Sequence, residues 1–164
     1  GGEEVGYQGR KRRKTTNALY LTDRKGQPVV MSAPKSGEHH DTHNIIAAMQ
    51  GMMADMAKAN VRTDGLFLNA DAGFDCAALR SFLKNHGIVA NIRINKRNGT
   101  GNDSIVLDEL LYRERYSIER TNAWMDSFRT ILNRFDTTLR NWASWNYIAF
   151  SVMLPRKWVR KRKV

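Results

Sequence analysis

The spacing of apolar and polar positions changes several times along the chain, and each change marks an element. "ALYLTD" (Ala18 to Asp23) is a short apolar run closed by an acid, and the turn residues "RKGQ" lead into a second run, "PVVMSA". That pattern predicts a β-hairpin. Polar "PKSGEHH" follows, and Asp41 stands where an N-cap belongs, ahead of Ile45, Met49, Met52, Met53 and Met56 at helical spacing. "GLFLNAD" (Gly65 to Asp71) has the character of a buried strand, again closed by an acid and followed by Gly73; Asp75 is then placed to cap a helix carrying Leu79, Phe82 and Leu83, with Gly87 as its stop. "VANIRI" (Val89 to Ile94) predicts a further strand, and "NKRNGTGND" a polar loop.

Two helices are expected to finish the chain. The first runs from about Asp108 to Leu132 with Ile118, Met125, Phe128 and Leu132 on one face. The second holds Leu139, Trp142, Ala143, Phe150 and Met153 and stops at Pro155. The resulting order, β-β-α-β-α-β-α-α, predicts an α/β fold: a mixed sheet flanked by helices. The methionine stripe reads as core packing, as do Trp124, Trp142 and Trp145.

Composition narrows the class of protein. At 164 residues, with 41% apolar positions and only three prolines, the chain is long enough for a packed core. We expect a basic arm over 1–16, a domain over 17–155 and a basic tail over 156–164. The charge is lopsided, with 27 Lys and Arg against 16 Asp and Glu, a net +11. "RKRRK" (Arg10, Lys11, Arg12, Arg13, Lys14) and "RKWVRKRKV" (Arg156 to Val164) gather much of the excess at the two ends. Such runs are commonly solvated, but here they point to a phosphate-backbone partner ahead of an anionic membrane. One cysteine, Cys76, excludes an internal disulfide, and no apolar run approaches the roughly 18 residues of a membrane span. A cytoplasmic location without a membrane partner is the expectation.

Three acids stand out by context. Asp23 and Asp71 each end an apolar strand, and in open α/β sheets sites assemble at the carboxyl ends of strands. Two ionised carboxylates there suggest a cation between them, while turn-capping is the plainer reading of each. In "YRERYSIERTNAWMDSFR" (Tyr112 to Arg129), at about 100° per residue, Tyr112, Arg115, Glu119, Asn122 and Asp126 fall in a stripe of roughly 80° beside the apolar face. An Arg115–Glu119 pair at i,i+4 needs no function to explain it, and excludes none. "HHDTH" lacks the spacing of a structural zinc site and reads as a helix start, "NGTGND" lacks the Lys-Ser/Thr of a phosphate loop, and Cys76 reads as packed.

"LTDRKGQPV", "NADAGFD" and "YRERYSIER" together resemble the DDE transposases of bacterial insertion sequences. The Asp-x-Gly-Phe motif is met by Asp71, Gly73 and Phe74, and the Tyr-x2-Arg-x3-Glu helix signature by Tyr112, Arg115 and Glu119. The resemblance implies a ribonuclease-H-like fold and a catalytic triad of Asp23, Asp71 and Glu119. It further implies two Mg2+ or Mn2+ ions bound by that triad, cutting of double-stranded DNA at element ends and joining to target DNA, with Tyr112, Arg115 and the basic residues 10–14 on the DNA. Nucleoid-associated work by a homodimer is implied by the same analogy. Three features depart from the pattern. The signature's lysine is Asp126, the family's amino-terminal DNA-binding region is expected to be lacking, and a hairpin stands where the fold has three antiparallel strands, so "MSAPKSG" is the place to seek the third. The alternatives are an inactive DNA-binding remnant of such an enzyme and a generic basic nucleic-acid-binding protein whose acids are turn residues.

Overall fold

The structure is a computed structural model that describes residues 2–9, 12–98 and 107–161, residues 98 and 155–161 by backbone alone. In chain order the elements are β1 (Gly6–Gln8), β2 (Arg13–Asn17), β3 (Tyr20–Thr22), β4 (Pro28–Met31), β5 (Lys35–Ser36), α1 (Ile45–Lys58), β6 (Phe67–Ala70), α2 (Ala77–Asn85), β7 (Val89–Ile92), α3 (Glu109–Arg113), α4 (Ser117–Asp126), α5 (Arg129–Leu132) and α6 (Leu139–Lys161). Short 3₁₀ turns lie at Ala72–Phe74, Lys96–Asn98 and Glu114–Tyr116. The fold class is the expected mixed α/β one, with antiparallel and parallel strand pairs and flanking helices. The chain divides into two compact units, Gly1–His40 with Ser117–Val164, and Asp41–Tyr116.

In the first unit β3 and β4 form the expected hairpin, pairing Tyr20 with Met31 and Leu21 with Val30 before the register shifts at Thr22. The stretch expected as a basic arm contributes β1 and β2, and β2 pairs antiparallel with β5, Thr16 opposite Ser36. "MSAPKSG" does therefore hold a strand, but β5 joins β2 and not the hairpin. Met31, Met125, Ile131, Trp142, Ala149, Phe150 and Met153 form the core. Their spacing on α6 is the i, i+7, i+8, i+11 pattern of one helix face. Trp142 donates Nε1–H to the Ile131 carbonyl at 3.3 Å, and Tyr20 sets its ring edge-on to Phe150 with centroids 5.5 Å apart. Of the three tryptophans expected inside, Trp142 is buried, whereas Trp124 and Trp145 are exposed.

In the second unit β6 and β7 run parallel, Phe67 beside Val89 through Ala70 beside Ile92, with α2 as the crossover between them. Met49, Met52 and Met56 of α1 are buried, as are Leu79, Phe82 and Leu83 of α2, so the methionine stripe is core. Gly87 follows α2 at φ +67°, a left-handed conformation that glycine adopts without cost.

Several expected boundaries move. α1 begins at Ile45 behind Asn44, which sits at φ +52°, while Asp41 lies in the turn before it. Asparagine is among the few residues that tolerate that region, so it ends the turn where an aspartate cap had been expected. Cys76 occupies the N-cap position of α2 without a capping side-chain bond, and the Asp75 carboxylate instead engages Arg80 Nε at 2.7 Å and the Asn95 amide at 2.7 Å. The single helix expected from Asp108 to Leu132 is three helices, broken by the 3₁₀ turn at Glu114–Tyr116 and again after Asp126. A 3₁₀ turn advances three residues per turn, so a stripe computed at constant helical pitch loses phase across it. α6 continues through Pro155 to Lys161. Proline removes one amide donor there, which by itself does not end a helix this long.

Candidate functional site

Asp23 follows β3 directly and organises the hairpin turn. Its Oδ1 accepts the Lys25 amide at 2.9 Å and the Gln27 amide at 2.7 Å, while the Gly26 amide donates to its carbonyl at 2.9 Å. This is the turn-capping geometry that aspartate favours. The turn is fixed to α4. Thr121, fully buried, donates its hydroxyl to the Gly26 carbonyl at 2.6 Å, and a Cβ on Gly26 (φ +69°) would come within 2.6 Å of the Ser117 carbonyl oxygen. Only glycine fits that approach. α4 is the helix that carries Glu119, which is exposed two residues before Thr121. Within one unit, then, the elements bearing Asp23 and Glu119 are tied together by a buried hydrogen bond.

The second unit carries Asp71, Tyr112 and Arg115. Asp71 follows β6 directly and opens the 3₁₀ turn Ala72–Phe74, with the Phe74 amide donating to its carbonyl at 2.9 Å. Its carboxylate Oδ1 lies 2.7 Å from Arg115 Nη1; the acid side chain is 65% exposed and the arginine 20%. Arg115 in turn rests on two rings, its guanidinium carbon 4.9 Å from the centroid of buried Tyr112 and 4.5 Å from that of Tyr116. Arg93 covers Tyr112 as well, at 4.9 Å, and its Nη2 donates to both carboxylate oxygens of Glu109 at 2.9 Å. The signature residues Tyr112 and Arg115 are thus gathered at Asp71.

What holds α3 there is a pair of side-chain amides that sequence reasoning missed. Asn91 Oδ1 accepts the Asp108 amide at 2.9 Å, which fixes the orientation of its amide group. Its Nδ2 then donates to Asn69 Oδ1 at 2.7 Å and to the Asp108 carbonyl at 3.1 Å, and Asn69 Nδ2 donates to the Leu111 carbonyl at 3.0 Å. Asp108 caps α3 by accepting the Leu111 amide at 2.9 Å. Asn69 and Asn91 are register partners on the parallel strands, so the network pins the first turn of α3 two residues from Asp71. The signal was present: "FLNA" and "VANI" each place an asparagine in an otherwise apolar strand.

The remaining predicted residues are placed as follows. Asp23 and Glu119 belong to one unit and Asp71 to the other. Among the described residues no three His, Cys, Asp or Glu side chains gather into a ready-made metal cage. The donor chemistry nonetheless suits a hard divalent cation, since all three are carboxylates, Asp71 and Glu119 are exposed, and both neighbours of Asp23 Oδ1 are backbone amides. Arg10 and Lys11 lie outside the described residues, as do residues 99–103 of the "NKRNGTGND" loop and the last residues of the basic tail. Arg12 and Lys14 are exposed, while Arg13 donates Nη1–H to Asn133 Oδ1 at 2.6 Å. Asp126, where the signature has lysine, works on Tyr20: burial first, and then this carboxylate, push the phenol well above its ordinary value. Tyr20 therefore stays protonated and donates to Asn146 Oδ1 at 2.6 Å. His40 and His43 are exposed at the start of α1, in keeping with a helix entry.

An acid at the end of a parallel strand with a packed arginine beside it suits chemistry on phosphate esters. The family of DDE superfamily endonucleases matches residues 2–153, and the chain belongs to it. No curated protein and no solved structure matches the chain. Membership brings nuclease- or transposase-type activity, a DNA substrate and a general use of divalent metal ions. No helix among the described residues is long and apolar enough to cross a membrane.

Proposed function

We propose that the chain is the catalytic part of a bacterial insertion-sequence transposase that nicks DNA at the element end and joins the freed 3′-hydroxyl to target DNA. The observation that carries this reading is the Asp71–Arg115 ion pair at 2.7 Å over Tyr112, because it unites the second acid with the helix signature. The family match over residues 2–153 supports it.

Asp23, Asp71 and Glu119 would hold two Mg2+ or Mn2+ ions through carboxylate oxygens. When bound, such ions supply charge stabilisation to the attacking and leaving oxygens of an in-line displacement. Asp23 contributes a carboxylate whose geometry is set by two backbone amides, so it meets a ligand pre-oriented. Glu119 is presented by a helix anchored to the same turn. Arg115 offers a planar fork of N–H donors to the non-bridging oxygens of the scissile phosphate, and Tyr112 supports it from below. Exposed Arg12, Lys14, Arg113 and Arg120, with the rest of the basic arm and tail, add sequence-independent affinity for the duplex that weakens with salt. Two copies on paired ends, in the bacterial cytoplasm, complete the proposal.

A supercoiled-plasmid nicking and strand-transfer assay with Mg2+ or Mn2+ tests it, comparing the chain with Asp71→Asn. The expected result is metal-dependent nicking that the substitution reduces by two orders of magnitude or more. Equal nicking by both proteins would overturn the catalytic assignment, and none by either would favour an inactive remnant.

A further inference from the structure

Arg115 is the better-housed member of its ion pair. Its side chain is 20% exposed with the guanidinium packed on Tyr112 and Tyr116, whereas the Asp71 side chain is 65% exposed. The helix before it is anchored by the Asn69–Asn91–Asp108 network, so little freedom is lost in forming the pair. Guanidinium keeps its charge at every accessible pH. A positive group is therefore built permanently against the one carboxylate at the end of β6.

We propose that Arg115 is the resident counter-ion of Asp71, occupying the carboxylate in place of a divalent cation until a DNA phosphate draws the guanidinium off. This inference rests on Asp71 being a metal ligand. A divalent cation seated on Oδ1 would meet the guanidinium at a few ångströms, and like charges that close repel one another. A phosphate takes the same planar donor fork that the carboxylate uses, so it competes for Arg115 on equal terms. Metal affinity is then low without DNA and rises with it, and by linkage metal raises the affinity for DNA. The device keeps the carboxylate neutralised and ordered between substrates.

Mn2+ binding to the full chain, followed by electron paramagnetic resonance without DNA, tests this on wild type, Arg115→Gln, Arg115→Lys and Asp71→Asn. Arg115→Gln is expected to bind Mn2+ about tenfold more tightly, equivalent to ~1.4 kcal/mol. A short duplex of random sequence should tighten Mn2+ binding in wild type and much less in Arg115→Gln. Equal or weaker binding by Arg115→Gln would overturn the inference while leaving Asp71 a ligand, provided Asp71→Asn loses the site. Unchanged binding by Asp71→Asn would overturn both. Should Arg115→Gln fail to fold by circular dichroism, Arg115→Lys decides: its charge remains but its fork is lost, so a smaller tightening is expected, and no tightening contradicts the proposal.

Discussion

Asp23 has one role that is observed, in the turn, and one that we propose, toward metal, and a single isosteric change separates them. Its Oδ1 caps the hairpin turn through two backbone amides, a task that an asparagine oxygen performs equally well. The negative charge, by contrast, is what the proposed ligand role requires. Asp23→Asn is therefore expected to stay within about 0.5 kcal/mol of wild-type stability by urea unfolding while losing metal-dependent nicking. Retained nicking would reduce Asp23 to a turn residue. Both readings of this acid were legible in the sequence, because an apolar run closed by Asp and followed by Lys-Gly specifies a turn as readily as a strand-end ligand. Its anchorage was not legible, since the Thr121 hydroxyl that bonds the Gly26 carbonyl at 2.6 Å lies on a helix far along the chain.

The elements themselves were read with uneven success, and the misses share a cause. Runs with a strong period, such as Met49, Met52 and Met56 or Trp142 to Met153, became buried faces as expected. The helix expected to run unbroken past Tyr112 failed as a unit because tertiary demands on Tyr112 and Arg115 outweigh local propensity, and a 3₁₀ turn takes up the difference. The cap of α2 shifted for a similar reason, as Asp75 had a better partner in Arg80. The Asn69–Asn91 pair shows what a period-based reading discards: two polar positions in apolar strands, of which Asn91 is buried and hydrogen-bonded throughout. Asn91→Leu leaves the Asp108 amide and Asn69 Oδ1 without these partners, at an expected cost of about 1–3 kcal/mol in urea unfolding. A loss well below that range would mean that water or a neighbour replaces the amide.

At the scale of the whole molecule, a net charge of +11 and membership of the DDE superfamily endonucleases point the same way, toward a polyanionic substrate. Charge of this kind delivers affinity without sequence preference, and we propose that the chemistry resides in Asp23, Asp71 and Glu119. The sequence named those acids from their context, and the structure gives each a defined local setting: Asp23 and Glu119 on elements locked together in one unit, Asp71 held by Arg115 in the other. That the three serve as metal ligands is the central claim, and metal-selective rescue tests it most directly. Nicking by Asp71→Cys is measured in Mg2+ and in Mn2+, because a thiolate is a poor ligand for Mg2+ and a better one for the softer ion. The account predicts that nicking is lost in Mg2+ and partly restored in Mn2+; full activity in Mg2+ would contradict it, as would equal loss in both ions.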